Sequence, residues 1–283
     1  NLKTYLDVDT ENNYYYSEVK GRELYFVNEG LKVPKYGQVE LVEAETSFTA
    51  YQEFQSMLTR DRIDIFMVGE FDDYQVLQAL HRFPLEGRQV DLQFSYSQPY
   101  VNVVKEKIEP RQSSQSILQL GYQFSCQYGD KDYFALIVFN AMFGEFAHSA
   151  LFTTLREKEG LAYSISSQFD IFTGLLEVYA GIEKSNRNQA MRGISRELNY
   201  IKLGRFSSSL LNQTKKIIRM NALLSEDHAL TLVEQRFNKV IFGDKSLSLE
   251  NWLDEIEKVT KKDVCRVARQ VKLQSLFFLE GVS

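Results

Sequence analysis

Hydrophobic and polar positions alternate with period two over 113–126 (SSQSILQLGYQFSC), a pattern that predicts a strand. From 130 to 146 the chain is apolar through its middle, as a buried helix would be, with an aspartate where an N-cap belongs. The stretch 149–160 (SALFTTLREKEG) reads as a second helix, capped by Ser149, striped by Leu151, Phe152 and Leu155, and stopped by Gly160. Period two then returns in AYSISSQFD and TGLLEVYAGI, which predicts a hairpin turning at IFTG. Helical spacing follows over 186–203, 207–224, 228–241, 248–258 and 261–271, and the chain closes on a strand, LQSLFFLEG. Strands grouped away from a run of helices imply an α+β fold with a largely antiparallel sheet.

Upstream, residues 84–112 carry Pro84, Pro99 and Pro110 and little helical periodicity, which reads as a linker. The segment before it resembles the end of the segment after it. Residues 26–71 and 242–282 each start with Phe and a glycine-containing loop, pass through a short acidic helix (VEAET or IEKVT), and reach a capping threonine, Thr46 or Thr260. Each then runs through a helix into an apolar strand ended by Gly69 or Gly281. The Phe-to-Thr intervals are 20 and 18 residues and the Thr-to-Gly intervals 23 and 21. An internal repeat of this kind implies duplicated α+β halves, each a mostly antiparallel sheet packed against a layer of helices. Residues 1–83 are then the closing part of a truncated first half, 84–112 the linker and 113–283 the complete second half. On this reading on the order of 100 residues precede Asn1.

Composition narrows the function classes. The hydrophobic fraction of 44% and the charged fraction of 25% are those of a soluble globular protein. A net charge of −5, with Lys and Arg scattered, argues against nucleic acid as a partner. Apolar runs are too short to span a bilayer. Cys126 and Cys265 match no metal-ligand spacing, and they read as core residues of a reducing, cytoplasmic compartment. Walker, G-x-S-x-G and dinucleotide signatures are absent.

Candidate chemistry is sparse. The three histidines, His81, His148 and His228, are isolated from one another in sequence, and no H-x-x-E-H occurs. Glu145 and His148 lie one helical turn apart, but no further donor completes a metal site, so this segment is expected to hold no metal. The aromatic cluster NYYYSEV (13–19) could line a peptide chamber, although such spacing more often serves a core, and the strand SSQSILQLGY (113–122) suits central pairing better than peptide capture at an edge. Arg156 and Tyr163 flank Gly160 at the junction of the second helix and the hairpin. Spacing alone suits an arginine facing the helix dipole and a half-buried packing tyrosine.

The surrounding residues carry more. FNAMFGEFAHSALFTTLREKEGLAYSISSQFD (139–170), with Asn140 and Gly144 in its first helix and the run S-x-L-F-x-x-L-R-E-K-x-G-L-A-Y-S after it, resembles the C-terminal half of the pitrilysin-type zinc peptidases. That family includes insulinase and the mitochondrial processing peptidase, and the likeness is strongest to its short bacterial branch, some of whose members lack catalytic residues and pair with an active homologue. The resemblance implies that zinc is bound in the N-terminal half by H-x-x-E-H, and that the C-terminal half closes a chamber around short unfolded peptides. It further implies that Arg156 and Tyr163 face substrate: a peptide carbonyl attacked by water becomes an oxyanion, which a fixed pair of donors stabilises. No catalytic residue is expected in this segment, and zinc is expected only where a preceding part carries its motif. The partners implied are a peptide, and a homologous subunit or a second copy. The alternative is a catalytically silent homologue that binds peptide or completes the chamber of an active partner.

Overall fold

The computed structural model describes residues 2–82, 88, 90 and 96–282. The first part is helical: α1 (Leu2–Glu11), α2 (Asn13–Tyr25), α3 (Glu29–Lys32), α4 (Val39–Ala44), α5 (Ser47–Arg60) and α6 (Asp73–Leu80). A sheet and its helices follow: β1 (Lys105–Gln112), β2 (Ser116–Gln123), α7 (Tyr133–Asn140), two π-helical segments (Ala141–Glu145 and Phe152–Lys158), β3 (Ala162–Asp170) and β4 (Leu175–Ile182). The chain ends in α8 (Arg187–Lys202), α9 (Ser208–Ser225), α10 (Ala229–Phe242), α11 (Leu249–Lys258), α12 (Lys261–Gln270) and β5 (Lys272–Val282).

The sheet has five strands in the order β1-β5-β2-β4-β3. Every pairing is antiparallel except that of β1 with β5. The expected α+β class is therefore observed, and β2 is a central strand as its continuous burial requires. Residues 105–112, placed in the linker by the sequence reading, are instead an edge strand. Their composition, KEKIEPRQ, disguises them: charges and a proline are what natural sheets use to blunt an exposed edge. Of the rest of that linker, residues 84–87, 89 and 91–95 lie outside the described residues.

One sheet face carries the main core. Leu118, Leu120 and Tyr122 of β2, Leu176, Val178 and Ala180 of β4, and Leu276 and Phe278 of β5 meet Leu136, Val138 and Phe139 of α7, Ile194 of α8, and Val264 and Val267 of α12. Cys126 and Cys265 are buried, free thiols.

Helix α2 lies on the other face, although the sequence reading assigns it to the first half. Its tyrosines pack there: Tyr14 meets Tyr179 edge to face at 4.6 Å, and the Tyr16 hydroxyl donates to Glu109 while Arg111 sits over its ring. Arg22 donates from Nε and Nη2 to the two oxygens of buried Glu177, at 3.0 and 2.8 Å.

The two segments that resemble one another in sequence share a device. Thr46 and Thr260 each accept the backbone N–H three residues on, inside a capping box, and start α5 and α12. Their surroundings differ. α12 and β5 bury Val264, Val267, Phe277 and Phe278, whereas Phe48, Tyr51 and Phe54 of α5 are at least half exposed. The apolar stretch before Gly69, read as a strand, has no ladder partner among the described residues. A strand is defined by its neighbour, so period-two spacing cannot produce one by itself.

The N-terminus of α7 also departs from expectation. Asp130 accepts the Gln127 N–H at 2.8 Å, and the helix begins three residues later. Asp132 makes no cap bond; its Oδ1 accepts from Arg266 Nε and Nη2 at 2.9 and 2.6 Å, and its Oδ2 accepts from Gln270, fastening α7 to α12. The hydrogen bonds from Arg266 hold the Asp132 carboxyl below its usual pKa. A depressed folded pKa stabilises the protein above the unfolded value of about 3.9 and is lost as pH falls through the folded one. Asp132→Asn is therefore expected to flatten the acid limb of a urea-midpoint-against-pH curve below about pH 4, at a cost of about 1 kcal/mol at neutral pH because solvent still reaches the Arg266 side chain, 41% exposed. An unchanged acid limb would remove this pair from the account.

A candidate substrate-facing turn between a π-helix and an edge strand

The second π-helical segment and β3 are joined by a turn that the sequence explains. Ser149 Oγ accepts the Phe152 N–H at 3.4 Å, in the capping role read for it. The helix then widens: the Glu159 N–H reaches the Thr154 carbonyl, five residues back, and the Leu161 N–H reaches the Leu155 carbonyl, six back. Gly160 takes φ 61°, which closes this ending at little cost for a residue without Cβ. Leu155, fully buried, anchors the segment in the core.

Arg156 and Tyr163 stand on the two shoulders of that turn, and both are exposed. The Arg156 guanidinium lies 4.6 Å from the centre of the Phe152 ring, and no carboxylate pairs with it among the described residues. It is a fixed cation supported on its own helix and open to solvent. Tyr163, 56% exposed, sits at a β-bulge: Ala162 pairs with Ile182 and Ser164 with Gly181, leaving Tyr163 as the extra residue. Bulges at sheet edges re-aim a side chain. This one brings the Tyr163 hydroxyl to Glu183, to which it donates at 2.7 Å. That bond, then desolvation and the Glu183 charge, raise the phenol above its ordinary pKa, so it stays a proton donor at neutral pH.

Arg156, Tyr163 and Gly160 are legible in the sequence, and Glu183 is not. Only the strand register, with its bulge, sets position 183 beside position 163. A second missed group lies under β3. Ser167 Oγ donates to Asn140 Oδ1 at 2.7 Å, and Asn140 Nδ2 donates to Glu145 at 2.9 Å. Burial raises the Glu145 pKa, with the Asn140 hydrogen bond opposing it. This chain of polar groups ties the edge strand to the first π-helical segment.

The same contacts test the segment against zinc. Glu145 is turned to Asn140, and His148 Nε2 lies 2.8 Å from Thr214 Oγ1, with burial lowering the imidazole pKa. His81 follows α6, and His228 precedes α10. No three His, Cys, Asp or Glu side chains gather for a metal among the described residues. These side chains do not fit a zinc centre. Among the same residues no helix is long and apolar enough to cross a membrane.

The fold has close counterparts. A conserved protein from Enterococcus faecalis V583 superimposes with a TM-score of 0.94 at 36% identity, over 99% of this chain and 67% of that one. A protease from Helicobacter pylori shares the fold, with a TM-score of 0.81 at 15% identity over 99% of this chain and 70% of that one. Among curated sequences, the probable inactive metalloprotease YmfF of Bacillus subtilis (strain 168) is 35% identical over 87% of this chain and 58% of its own length. The uncharacterized zinc protease YmxG of the same organism is 24% identical over 86% of this chain and 59% of its own. The chain thus spans somewhat under three-fifths of the length of these two relatives. A family model, the peptidase M16 inactive domain, matches residues 51–218. With the α+β sheet and the glycine-ended turn in place and more than half of its length matched, this chain belongs to the peptidase M16 inactive-domain family.

Proposed function

We propose that this chain is the substrate-closing portion of an M16-type peptidase-like protein, and that Arg156 and Tyr163 donate to the carbonyl of a bound, unfolded peptide from the half opposite the zinc. The observation that carries the reading is the exposure of both donors on one rigid turn, with the Arg156 charge unspent on any carboxylate among the described residues. A guanidinium keeps its proton and a raised phenol keeps its own, so both remain donors while charge develops on the carbonyl oxygen. The outer edge of β3 supports the same reading. Between Ala162 and Phe169 it carries no charge and no proline, in contrast to β1, and it offers backbone groups to an extended peptide. No step is assigned to zinc on this chain, where no three potential ligands gather among the described residues. The free buried thiols fit a cytoplasmic setting.

A phosphinic peptide, whose anionic tetrahedral group imitates the oxyanion, separates this role from simple affinity. Tyr163→Phe is expected to weaken the phosphinic peptide about tenfold in a ³¹P shift titration, with the parent peptide changed less than about twofold. In an active assembly the same substitution lowers kcat at constant KM. Equal weakening of both ligands would reduce Tyr163 to a general contact.

The name of YmfF favours a second reading, in which the full-length protein is a catalytically silent subunit that binds peptide or completes the chamber of an active homologue or a second copy. Elemental analysis of the full-length protein decides between them: zinc near one per chain supports a peptidase, and zinc far below it supports the silent subunit.

A further inference from the structure

The Tyr163 hydroxyl has one proton, and in this structure that proton goes to Glu183. A phenol that donates to a carboxylate cannot at the same moment donate to a peptide carbonyl. The contact is built from the backbone up. The bulge at Tyr163 turns its ring toward the end of β4, and the Glu183 carbonyl accepts the Asn186 N–H at 2.9 Å, fixing the backbone that carries the carboxylate. The cations that follow Glu183 in the chain are committed elsewhere: Lys184 pairs with Glu280 and Arg187 with Glu106. Nothing cationic among the described residues draws the Glu183 carboxylate off the phenol.

We infer that Glu183 is a positioning residue that latches Tyr163 at rest, so that a substrate carbonyl must displace the carboxylate before the phenol can serve it. The inference rests on the proposed role of Tyr163 and adds a resting state to it. The latch favours ligands that develop negative charge, because an oxyanion competes for the phenol proton far better than a neutral carbonyl does. Arg156 then supplies the counter-charge that makes the exchange favourable.

The test uses the full-length protein and the same phosphinic peptide. Glu183→Ala is expected to tighten binding about fivefold, the scale of one hydrogen bond that no longer has to be broken. Removing a nearby negative charge would itself help an anion, so the decisive comparison is made in a Tyr163→Phe background. There Glu183→Ala is expected to have at most a twofold effect, and Glu183→Gln, which keeps an acceptor without the charge, gives an intermediate gain when Tyr163 is present. A readout free of ligand accompanies it: the Tyr163 phenol, followed by ultraviolet or NMR titration, ionises at lower pH in Glu183→Ala than in the parent.

An equal gain in both backgrounds would show a charge effect and overturn the latch. Weaker binding by Glu183→Ala would show that Glu183 holds Tyr163 in its productive pose, and would overturn it as well. Binding that Arg156→Ala and Tyr163→Phe weaken but Glu183→Ala leaves unchanged removes the latch and keeps the proposed function. Failure of the full-length parent protein to bind the phosphinic peptide removes both.

Discussion

Arg22→Ala is expected to cost about 2–3 kcal/mol of stability, because it strands the Glu177 carboxylate, whose side chain is only 6% exposed, against a sheet face. A fully buried pair broken in this way loses about 3–5 kcal/mol, and the lower figure reflects the solvent that still reaches Arg22. Three neighbours set the size of the effect. Gln168 Nε2 still donates to Glu177, at 3.2 Å, and relieves part of the loss. Glu18, 3.5 Å from the guanidinium, loses its partner too and then faces Glu177 with no cation between them. The Glu18 pKa is already raised, by burial first and then by Glu177, with Arg22 opposing. Removing Arg22 raises it further. A carboxyl with a raised folded pKa contributes its stability below the unfolded value of about 4.3 and loses it as pH rises through the folded one. The deficit of the variant therefore shrinks on acidification from neutral pH toward about pH 4. Urea unfolding gives the number, and a double-mutant cycle with Glu177→Gln gives the cause: the second substitution recovers most of the loss. A loss below about 0.5 kcal/mol, or one the cycle leaves additive, would mean that the Arg22–Glu177 pair does not hold α2 to the sheet.

What the chain discloses beforehand follows from whether the deciding interaction is local. Helix starts were legible because a cap is a contact three residues long: Thr46, Ser207, Ser248 and Thr260 each accept a backbone N–H of their own first turn. The β3–β4 hairpin was legible from its alternation and from Gly174, and Gly160 was legible as a helix stop. The π-helical segments left no trace, since residues that suit an α-helix also suit the wider turn and the choice is made by packing. β1 was hidden because an edge strand protected by charge has the composition of a loop. Residues 62–68 failed in the opposite sense, apolar enough for a strand but with no strand partner among the described residues. The candidate site divides the same way. Arg156 and Tyr163 were found through a stretch of sequence around one turn. Glu183 and the Ser167–Asn140–Glu145 relay were not, because each joins residues that are distant in the chain and brought together by the strand register.

Gly144→Ala is expected to destabilise the protein by about 2–4 kcal/mol, the reverse of what this substitution does in an ordinary helix, where alanine gains close to 1 kcal/mol. A Cβ at position 144 would lie 2.6 Å from Ser167 Oγ, 2.8 Å from its Cβ and 2.8 Å from its backbone nitrogen. The hydroxyl can rotate, although it then gives up its bond to Asn140, worth about 0.5–1.5 kcal/mol. The nitrogen cannot move alone, because Ser167 is paired with Val178 in the β3–β4 ladder. Relief requires the π-helical segment and the edge strand to separate, and the strand they would displace carries Tyr163. Two measurements identify the mechanism. In urea, Ser167→Gly in the Gly144→Ala background should restore part of the loss, since it removes the Oγ and Cβ collisions and leaves the one with the backbone nitrogen. In hydrogen exchange, β3 amides should lose protection in Gly144→Ala before those of β5, because the strain is applied at the edge and not at the centre of the sheet. A stabilised Gly144→Ala protein would mean that the first π-helical segment does not approach β3 closely, and with it would go the structural reason why Asn140 and Gly144 accompany the arginine–tyrosine turn.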